Sequence, residues 1–372
     1  MNSDEIYLVR AIELARKGLG DTFPNPNVGA VVVSDGRIVG EGYHRKKGEP
    51  HAEVEAINEA GSEARGGTIY LNLEPCCHYG TTPPCTERII QSGIKRVVFS
   101  IYDPDPRVSG KGARILRENG IEVKTGVKSR EALEINLPFI HRCETGSPLV
   151  ILKLALTLDG CLTAEPDGWF TSEESRKYVH YLRALTDAVA VGIGTVKSDN
   201  PVLNRRFFER KLPPPVRCVF DPRLDFPPDS SWFNDGERVM IYYSDEAATA
   251  RAKSLEKAGA DVILLSSNNG RIDLERWVED LSERSIHSVL VEGGARIAAS
   301  FIKKRLADRM YIFFASRISG KKGLSFFMEE GEPDWIKEGG LRPSRVSLSG
   351  SDIVGVYDNP VVEGYFKRLA GD

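Results

Sequence analysis

Apolar and polar residues recur along the first half of the chain with helical and strand periods in turn. Helices are predicted over residues 4–18, 51–60, 86–92, 111–119 and 129–140. Strands are predicted over residues 28–33, 37–42, 68–73, 96–101 and 121–125. The Asp35-Gly36 pair between the first two strands is typical of a tight hairpin turn. This order predicts one mostly parallel sheet packed between helices.

A polar stretch with glycine and proline, residues 141–148, interrupts this pattern, and an apolar strand follows over 149–156. We therefore predict a domain boundary near Gly146, with one domain over 1–146 and a second over 147–372. In the second half, helices are predicted over 172–185, 247–257, 274–283 and 295–304. Strands are predicted over 188–193, 216–220, 238–243, 262–265, 288–291, 310–315, 345–348 and 353–357. The second domain is also of the α/β class.

Composition narrows the class of partner. The 372 residues are 41% hydrophobic, which is enough for two cores. The chain has 50 Lys and Arg and 53 Asp and Glu, so it lacks the basic excess that is typical of nucleic-acid-binding proteins. A small-molecule substrate is therefore favoured. No secretory signal pattern and no run of about 18 apolar residues is present, so we expect a soluble, cytoplasmic protein without membrane contact.

The strongest chemical pattern lies in the first domain, where His51 and Glu53 are followed by Cys76 and Cys85, each cysteine directly after a proline. One imidazole and two thiolates with an open fourth position are typical of a catalytic zinc site. Zinc makes hydroxide available at neutral pH to attack an amino-bearing ring carbon, and Glu53 is the candidate that moves the protons. The pattern predicts a zinc-dependent deaminase.

Two alternatives remain open on these residues alone. His51 and the cysteines could be buried core residues that bind no metal. Cys77 adjoins Cys76 and could replace it as a ligand, although the cysteine directly after the proline is the usual one, so Cys77 is interpreted as a packing residue.

The residues His51-Ala-Glu53, Pro75-Cys76 and Cys85 resemble the cytidine-deaminase-like superfamily. The chain departs from the general Pro-Cys-x-x-Cys pattern, because eight residues separate Cys76 from Cys85. That longer insert, with Glu74 before it and the run Pro-Asn-Pro-Asn-Val-Gly over 24–29, is similar to the deaminase half of riboflavin-biosynthesis deaminase-reductases. The resemblance implies a three-layer α/β/α domain.

The same resemblance implies that Asn25 contacts a pyrimidine ring. The alternative for Asn25 is a turn residue between two prolines. The resemblance also offers His78, inside the insert, as a residue that shapes the site, but a role without function is favoured for it.

In the second domain, several polar or glycine-containing motifs stand where strands end. They are Lys153 to Gly160, Trp169 to Ser172, Gly192 to Thr195, a loop containing Asp199 to Leu203, and Glu292 to Gly294. Ligands of open α/β sheets bind at such strand ends. A Gly293-Gly294 pair before a helix, with Arg296 beside it, suggests a phosphate site suited to NADP. Taken singly, each motif is equally compatible with a structural role, such as a helix cap or a core tryptophan.

Taken together and in this order, these motifs resemble the reductase half of the same family, which has a dihydrofolate-reductase-like fold. The resemblance implies an NADPH site lined by Ala155, Trp169, Thr195, Asp199, Gly294, Ala295, Arg296, Ile297, Ala298, Ala299 and Ser300. It implies that the ribose-phosphate substrate is held by Arg183, Leu203, Arg206 and Glu292. Asp167 stands where many relatives have a substrate-contacting serine, and its carboxylate would repel a phosphate.

The resemblance implies two successive reactions. The first domain would hydrolyse the 2-amino group of 2,5-diamino-6-ribosylamino-4(3H)-pyrimidinone 5′-phosphate with Zn²⁺, and the second would reduce the ribosyl group to ribityl with NADPH. A homodimer or larger homo-oligomer is expected. One alternative is a tRNA deaminase with a C-terminal binding module, which the acidic net charge disfavours. Another is a noncatalytic second domain for dimerisation or metabolite sensing.

Overall fold

The computed structural model describes residues 2–80, 83–162, 170–208, 212–245, 248–266, 270–320, 324–325 and 340–369. The chain divides into two compact units, one formed by Met1–Gly146 with Gly364–Asp372 and the other by Ser147–Glu363. No helix within the described ranges is both long and apolar enough to cross a membrane.

The first unit holds one five-stranded sheet. Its strands are β1 (Gly29–Ser34), β2 (Arg37–Tyr43), β3 (Thr68–Leu73), β4 (Arg96–Ile101) and β5 (Glu122–Thr125). Its helices are α1 (Ser3–Arg16), α2 (Ala52–Ala60), α3 (Cys85–Ser92), α4 (Lys111–Glu118) and α5 (Ser129–Thr145). The strand order is β2-β1-β3-β4-β5, with β1 antiparallel to both neighbours and β3, β4 and β5 parallel. Apolar clusters lie on both faces, as the predicted arrangement of helices around a sheet requires.

Glycines in β2 allow α2 to lie directly on the sheet. A Cβ atom on Gly40 would come within 2.1 Å of the Ala56 carbonyl oxygen, and one on Gly42 within 2.4 Å of the Ala52 oxygen. Only glycine permits so close a backbone approach. The contact fixes the N-terminal end of α2, where His51 is the N-cap residue.

The second unit is built on a nine-stranded sheet. Its main strands are β6 (Leu149–Thr157), β8 (Ala188–Gly192), β9 (Val216–Phe220), β10 (Val239–Tyr243), β11 (Asp261–Leu264), β12 (Ser288–Val291), β13 (Arg309–Ala315), β15 (Arg342–Ser349) and β16 (Asp352–Asp358). Two short strands, β7 (Cys161–Leu162) and β14 (Leu324–Ser325), pair separately. The order is β11-β10-β9-β8-β12-β6-β13-β16-β15, parallel from β11 to β13 and antiparallel from β13 to β15.

Helices α6 (Glu173–Ala184), α7 (Ile193–Asp199), α8 (Thr249–Ala258), α9 (Leu274–Glu283) and α10 (Ala295–Lys303) complete the second unit. Trp277 of α9 and Phe301 of α10 are fully buried and lie with their ring centroids 5.5 Å apart. They cover the face of the sheet that carries Phe220 and Tyr242. This packing fixes the start of α10 beside the end of β12.

The sheet of the first unit is parallel at two of its four strand pairings rather than mostly parallel as predicted, because β1 is antiparallel to both neighbours. Three helices also differ from the sequence predictions. Helix α5 runs to Thr145, five residues beyond the predicted end at Ile140, although it contains Pro138. Residues 193–199, predicted as a loop, form α7. A final helix, α11 (Pro360–Leu369), was not predicted, and its last part packs on α5, where the Tyr365 hydroxyl lies 3.2 Å from His141 Nδ1. Because of such contacts, residues 364–372 belong to the first unit rather than to the predicted second domain.

A buried ionic network in the first unit leads to an acid-stability prediction. The Asp4 carboxylate accepts hydrogen bonds from Arg96 at 2.8 and 3.0 Å, Lys124 at 2.8 Å and the Tyr70 hydroxyl at 3.0 Å. The hydrogen bonds from Arg96, the largest cause, hold the pKa of Asp4 well below its ordinary value. A depressed carboxyl pKa stabilises the fold fully above the unfolded-state pKa of about 3.9. This contribution declines as the pH falls below that value and is lost as the pH falls through the lowered pKa of the folded state.

We therefore expect Asp4→Asn to lower the free energy of unfolding by about 1–2 kcal/mol at pH 7, since charge-assisted hydrogen bonds are lost. The difference from the parent should shrink as the pH is lowered below about 4. Urea unfolding at pH 7 and at pH 3.5 measures both. A difference that is the same at the two pH values would exclude the carboxylate charge as its cause.

Two candidate active sites

Three predicted metal ligands converge in the first unit. His51 caps the start of α2, Cys76 follows β3, and Cys85 is the first residue of α3. Their ligand atoms all lie within 4.8 Å of one another, with His51 Nδ1 at 3.2 Å from Cys85 Sγ and 3.6 Å from Cys76 Sγ. The N-termini of α2 and α3 and the segment after β3 therefore place the three side chains around one candidate metal position.

This donor set fits a zinc ion. With Zn–S bonds of about 2.3 Å and Zn–N bonds of about 2.0 Å, tetrahedral ligands lie roughly 3.5 Å apart, close to the separations found here. Three protein ligands leave the fourth coordination position for water or substrate, as in catalytic rather than structural zinc sites.

The electrostatics of the three residues also suit a metal. Hydrogen bonding with Cys85, and then with His51, lowers the pKa of Cys76 to about 4. The Cys85 backbone N–H donates to Cys76 Sγ at 3.4 Å from the N-terminus of α3, an end of the helix that favours negative charge. The hydrogen bond to Cys76 raises the pKa of the Cys85 thiol, so metal binding has to displace its proton.

Glu53 lies beside these ligands in the first turn of α2 and is only 3% exposed. Burial raises the pKa of its carboxyl group. Glu53, His51 and Cys76 line one cavity of about 280 Å³. The predicted catalytic carboxylate and two of the predicted ligands are thus accessible from the same space.

Asn25 lines the same cavity, and its amide nitrogen is 3.1 Å from His44 Nε2. Since His44 Nδ1 lies 3.2 Å from the Pro50 carbonyl oxygen, the ring donates there and accepts from Asn25. His44 therefore fixes the Asn25 amide so that its oxygen remains available. His44 was not among the predicted site residues, because a single histidine after a strand carries no recognisable spacing.

Cys77 is directed elsewhere, with its thiol 3.6 Å from the Arg107 carbonyl oxygen. Burial raises the pKa of Cys77, unlike that of Cys76. Within the part of the chain that the structure describes, the cluster able to hold a metal contains Cys76 and Cys85 but not Cys77.

Glu74 shapes the cavity through the loop that follows β4. Its carboxylate accepts hydrogen bonds from the backbone amides of Asp103, Gly110 and Ala113 at 3.3, 2.8 and 2.9 Å. Asp103 also lines the cavity, and burial raises its pKa to about 7. Sequence reasoning gave Glu74 only as a motif residue and missed Asp103, which stands in a loop without a motif of its own.

The second unit has a cavity of about 290 Å³ where β6, β12 and α6 meet. Four predicted residues line it, namely Ala155, Arg183, Arg206 and Glu292. Arg183 and Glu292 form a two-pronged ion pair with N–O distances of 2.5 and 3.0 Å, and both side chains are about 90% buried. Arg206 is exposed at the edge of the cavity.

Lys153 also lines this second cavity, although it was predicted only as part of a strand-end motif. Burial lowers the pKa of its ammonium group, and the nearby Glu292 carboxylate partly opposes that effect. Lys153 was missed as a site residue because a lysine within an apolar strand gives no sign of which face it occupies.

The remaining predicted residues lie near the ends of β8 and β12 or in the following loop. Thr195 and Asp199 are on α7, Gly294 is the N-cap of α10, and Ala295, Arg296, Ile297, Ala298, Ala299 and Ser300 are on α10. Leu203 is 3% exposed and is not among the residues that line the cavity. Asp167 and Trp169 lie outside the described residues.

The two glycines before α10 differ in environment. A Cβ atom on Gly293 would come within 2.8 Å of Ile297 Cβ, so this glycine is required for packing. A Cβ atom on Gly294 would meet no atom within 4 Å, and no side chain caps the helix there. The first amides of α10 therefore have no side-chain cap, and such helix N-termini can bind an anion.

Known proteins match both units. Residues 1–101 match the cytidine and deoxycytidylate deaminase zinc-binding region, and residues 148–354 match the RibD C-terminal domain. The riboflavin biosynthesis protein RibD of Aquifex aeolicus is 45% identical, over 87% of this chain and 89% of that protein.

Solved structures agree with these matches. The diaminohydroxyphosphoribosylaminopyrimidine deaminase/5-amino-6-(5-phosphoribosylamino)uracil reductase of Thermotoga maritima is 38% identical, with a TM-score of 0.78 over 96% of this chain and 99% of that one. RibD of Acinetobacter baumannii, form 1, is 35% identical, with a TM-score of 0.78 over 96% and 98%.

The fold, the metal site and the matches to known proteins together define an enzyme. It joins a cytidine-deaminase-like domain to a dihydrofolate-reductase-like domain. The chain belongs to the RibD family of riboflavin-biosynthesis proteins, whose members are bifunctional deaminase-reductases. Zinc and NADPH are its cofactors. The alternative of a tRNA deaminase finds no support among these relatives, and the reductase match disfavours a noncatalytic second domain.

Proposed function

We propose that the first unit releases ammonia from 2,5-diamino-6-ribosylamino-4(3H)-pyrimidinone 5′-phosphate and that the second reduces the deaminated product with NADPH. The observation that supports the proposed deamination is the convergence of His51, Cys76 and Cys85 beside the buried Glu53. Incubation of the purified chain with this nucleotide tests the proposal, because ammonia has to appear before NADPH is consumed. NADPH consumption without ammonia release would contradict it.

Zinc, when bound, lowers the pKa of a water molecule so that hydroxide is available at neutral pH. Glu53 takes the proton from the attacking water and delivers one to the departing amino group. Its burial supports this role, because a carboxyl group whose pKa is raised holds a transferred proton more readily than an ordinary carboxylate does. Asn25, fixed by His44, presents its amide oxygen to the pyrimidine ring.

In the second unit we assign Arg183, Arg206 and Glu292 to the ribose-phosphate part of the substrate. Four basic residues and one acidic residue line the cavity among the described positions, so an anionic ligand is favoured. NADPH supplies the hydride. Ala155 lies at the cavity wall, and the first turn of α10 with Thr195 and Asp199 of α7 forms the adjacent cofactor surface.

Arg296 is the residue we assign to the 2′-phosphate of NADPH. It is exposed in the first turn of α10, next to the uncapped amides. Arg296→Ala should reduce the preference for NADPH over NADH by about 10-fold or more, because a charge-assisted contact is removed. The ratio of kcat/KM values for the two cofactors measures this effect. An unchanged ratio would remove Arg296 from the site, whereas Lys304→Ala, at the other end of the helix, should leave the ratio as it is.

We also propose a cytoplasmic homodimer. Strand β15 lies at an edge of the large sheet and exposes Val346 and Leu348 by 71% and 77%. Among the described residues, the outer side of β15 has no strand partner, and exposed apolar residues on such an edge strand favour pairing with a second copy. All six cysteines are free, which suits a reducing compartment. Light scattering should give about twice the 41.2 kDa chain mass, and Val346→Glu with Leu348→Glu should shift it toward the monomer.

A further inference from the structure

His180 of α6 lines the reductase cavity but belongs to none of the motifs that predicted the site. It is 5% exposed. Its Nδ1 atom lies 3.0 Å from the backbone nitrogen of Arg206 and 2.8 Å from the carbonyl oxygen of Asn204. The His180 ring therefore contacts the backbone of the loop that carries Arg206.

These two contacts determine which ring nitrogen carries the proton. The Asn204 carbonyl oxygen already accepts a hydrogen bond from Arg183 Nη1 at 3.1 Å, whereas the Arg206 N–H is directed at His180 Nδ1. If Nδ1 carries the hydrogen, it donates to the Asn204 oxygen at 2.8 Å and the Arg206 N–H is left without its acceptor. If Nδ1 accepts from Arg206, both backbone groups keep a hydrogen-bond partner, at the cost of placing Nδ1 and the Asn204 oxygen together as two acceptors. Because a backbone N–H is rarely left without an acceptor, the favoured tautomer of the neutral ring carries its proton on Nε2.

The neutral form is favoured by the surroundings. Burial, followed by the nearby Arg183 cation, lowers the pKa of His180 to about 4. Within the ranges that the structure describes, no hydrogen-bond partner is assigned to Nε2. The two contacts of Nδ1 hold the orientation of the imidazole, and the Phe207 ring lies edge-on to it with centroids 5.1 Å apart. An N–H donor of fixed direction is thus available at the cavity wall.

We propose that His180 is a substrate-binding residue of the reductase and that its Nε2–H donates a hydrogen bond to a phosphate oxygen of the substrate, beside the Arg206 guanidinium. This inference rests on the proposed function. The loop supports it, because the hydrogen bond that fixes the His180 tautomer also fixes the backbone of Arg206. Arg183 is already paired with Glu292, which leaves Arg206 as the exposed arginine at this end of the cavity.

The backbone around this pair supports a built site rather than a chance contact. Leu203 and Phe207 have positive φ angles of 51° and 68°, a conformation that non-glycine residues adopt rarely. Arg205, between them, is buried and donates to the carbonyl oxygens of Arg183, Pro213 and Thr186. The fold therefore holds residues 203–207 in a strained but fixed shape, as functional loops often are.

Two matched variants separate a substrate contact from a purely positioning role. His180→Asn places an amide oxygen where Nδ1 accepts from Arg206, but has no donor at the position of Nε2. His180→Gln reaches the Nε2 position with an amide N–H, but cannot accept from Arg206. A substrate contact predicts that His180→Asn loses more activity than His180→Gln. A purely positioning role predicts the reverse.

The readout is kcat/KM for NADPH oxidation by the full chain with 5-amino-6-(5-phosphoribosylamino)uracil and with its dephosphorylated counterpart. We expect His180→Asn to lower kcat/KM about 10- to 100-fold with the phosphorylated compound, mainly through KM, and to have little effect with the other. His180→Gln should retain more activity than His180→Asn. The melting temperature of each variant monitors folding.

Two results would overturn the inference. One is a His180→Asn variant with parent activity beside an impaired His180→Gln variant, which would leave His180 as a positioning residue only. The other is an equal loss with both compounds. If the parent chain itself oxidises no NADPH with this compound, the proposed function fails, and calorimetry with inorganic phosphate decides the inference instead. Weaker phosphate binding by His180→Asn than by the parent would support it, and equal binding would refute it.

Discussion

The Glu53→Gln variant should lose ammonia release by about 10⁴-fold or more while it still binds zinc. General acid-base catalysis typically contributes about 10²- to 10⁴-fold, and here one carboxylate serves both the attack of water and the departure of ammonia. The substitution preserves the shape of a side chain that is 3% exposed and removes no metal ligand. Ammonia release and zinc content, measured on the same preparation, test the prediction.

The second unit provides the control for this variant. Given deaminated substrate, Glu53→Gln should oxidise NADPH at close to the parent rate, because Lys153, Arg183 and Glu292 lie in the other compact unit. Loss of both activities would point to a folding defect or to coupled sites. Continued deamination would remove Glu53 from the catalytic role.

Loss of any one metal ligand should remove most of the zinc and abolish deamination. His51→Ala, Cys76→Ser and Cys85→Ser each leave two protein ligands at a site that has three, and catalytic zinc sites depend on all of them. Cys77→Ser is the matched control, because the Cys77 thiol is directed at the Arg107 carbonyl oxygen. Elemental analysis should give about one zinc per chain for the parent and Cys77→Ser, and far less for the other three.

The opposite pattern, with zinc lost only from Cys77→Ser, would contradict the ligand assignment. Melting temperatures distinguish loss of metal from loss of fold. Reductase activity of the three ligand variants provides a second control, since the described residues that line the reductase cavity all belong to the second unit.

The metal site was predictable from sequence because its residues stand at element ends. His51 precedes α2, Cys76 follows β3 and Cys85 opens α3, so a short motif at each position fixes where the side chain goes. The layered α/β arrangement follows from the same logic, since strands alternate with amphipathic helices along the chain. The strand order was not predicted, because it depends on which strands pair across the sheet.

The reductase cavity was less predictable because its wall is made from the middle of elements. Lys153 lies within β6 and His180 within α6, where sequence periodicity gives burial but not the neighbours across the sheet. Gly192 and Gly194 predict a loop over residues 193–199, yet a short helix forms there. Helix α11 was missed because its docking on α5 depends on contacts such as that of Tyr365 with His141, more than 200 positions earlier.

The most direct test of the account is a single reaction of the full chain with 2,5-diamino-6-ribosylamino-4(3H)-pyrimidinone 5′-phosphate and NADPH. Ammonia release and NADPH absorbance are followed together, for the parent and for Glu53→Gln. We expect the parent to release ammonia first and then consume about one NADPH per ammonia. Glu53→Gln should do neither with this nucleotide, and should consume NADPH, without ammonia release, only after deaminated substrate is added. NADPH oxidation by Glu53→Gln without added deaminated substrate would contradict two consecutive reactions at two separate sites.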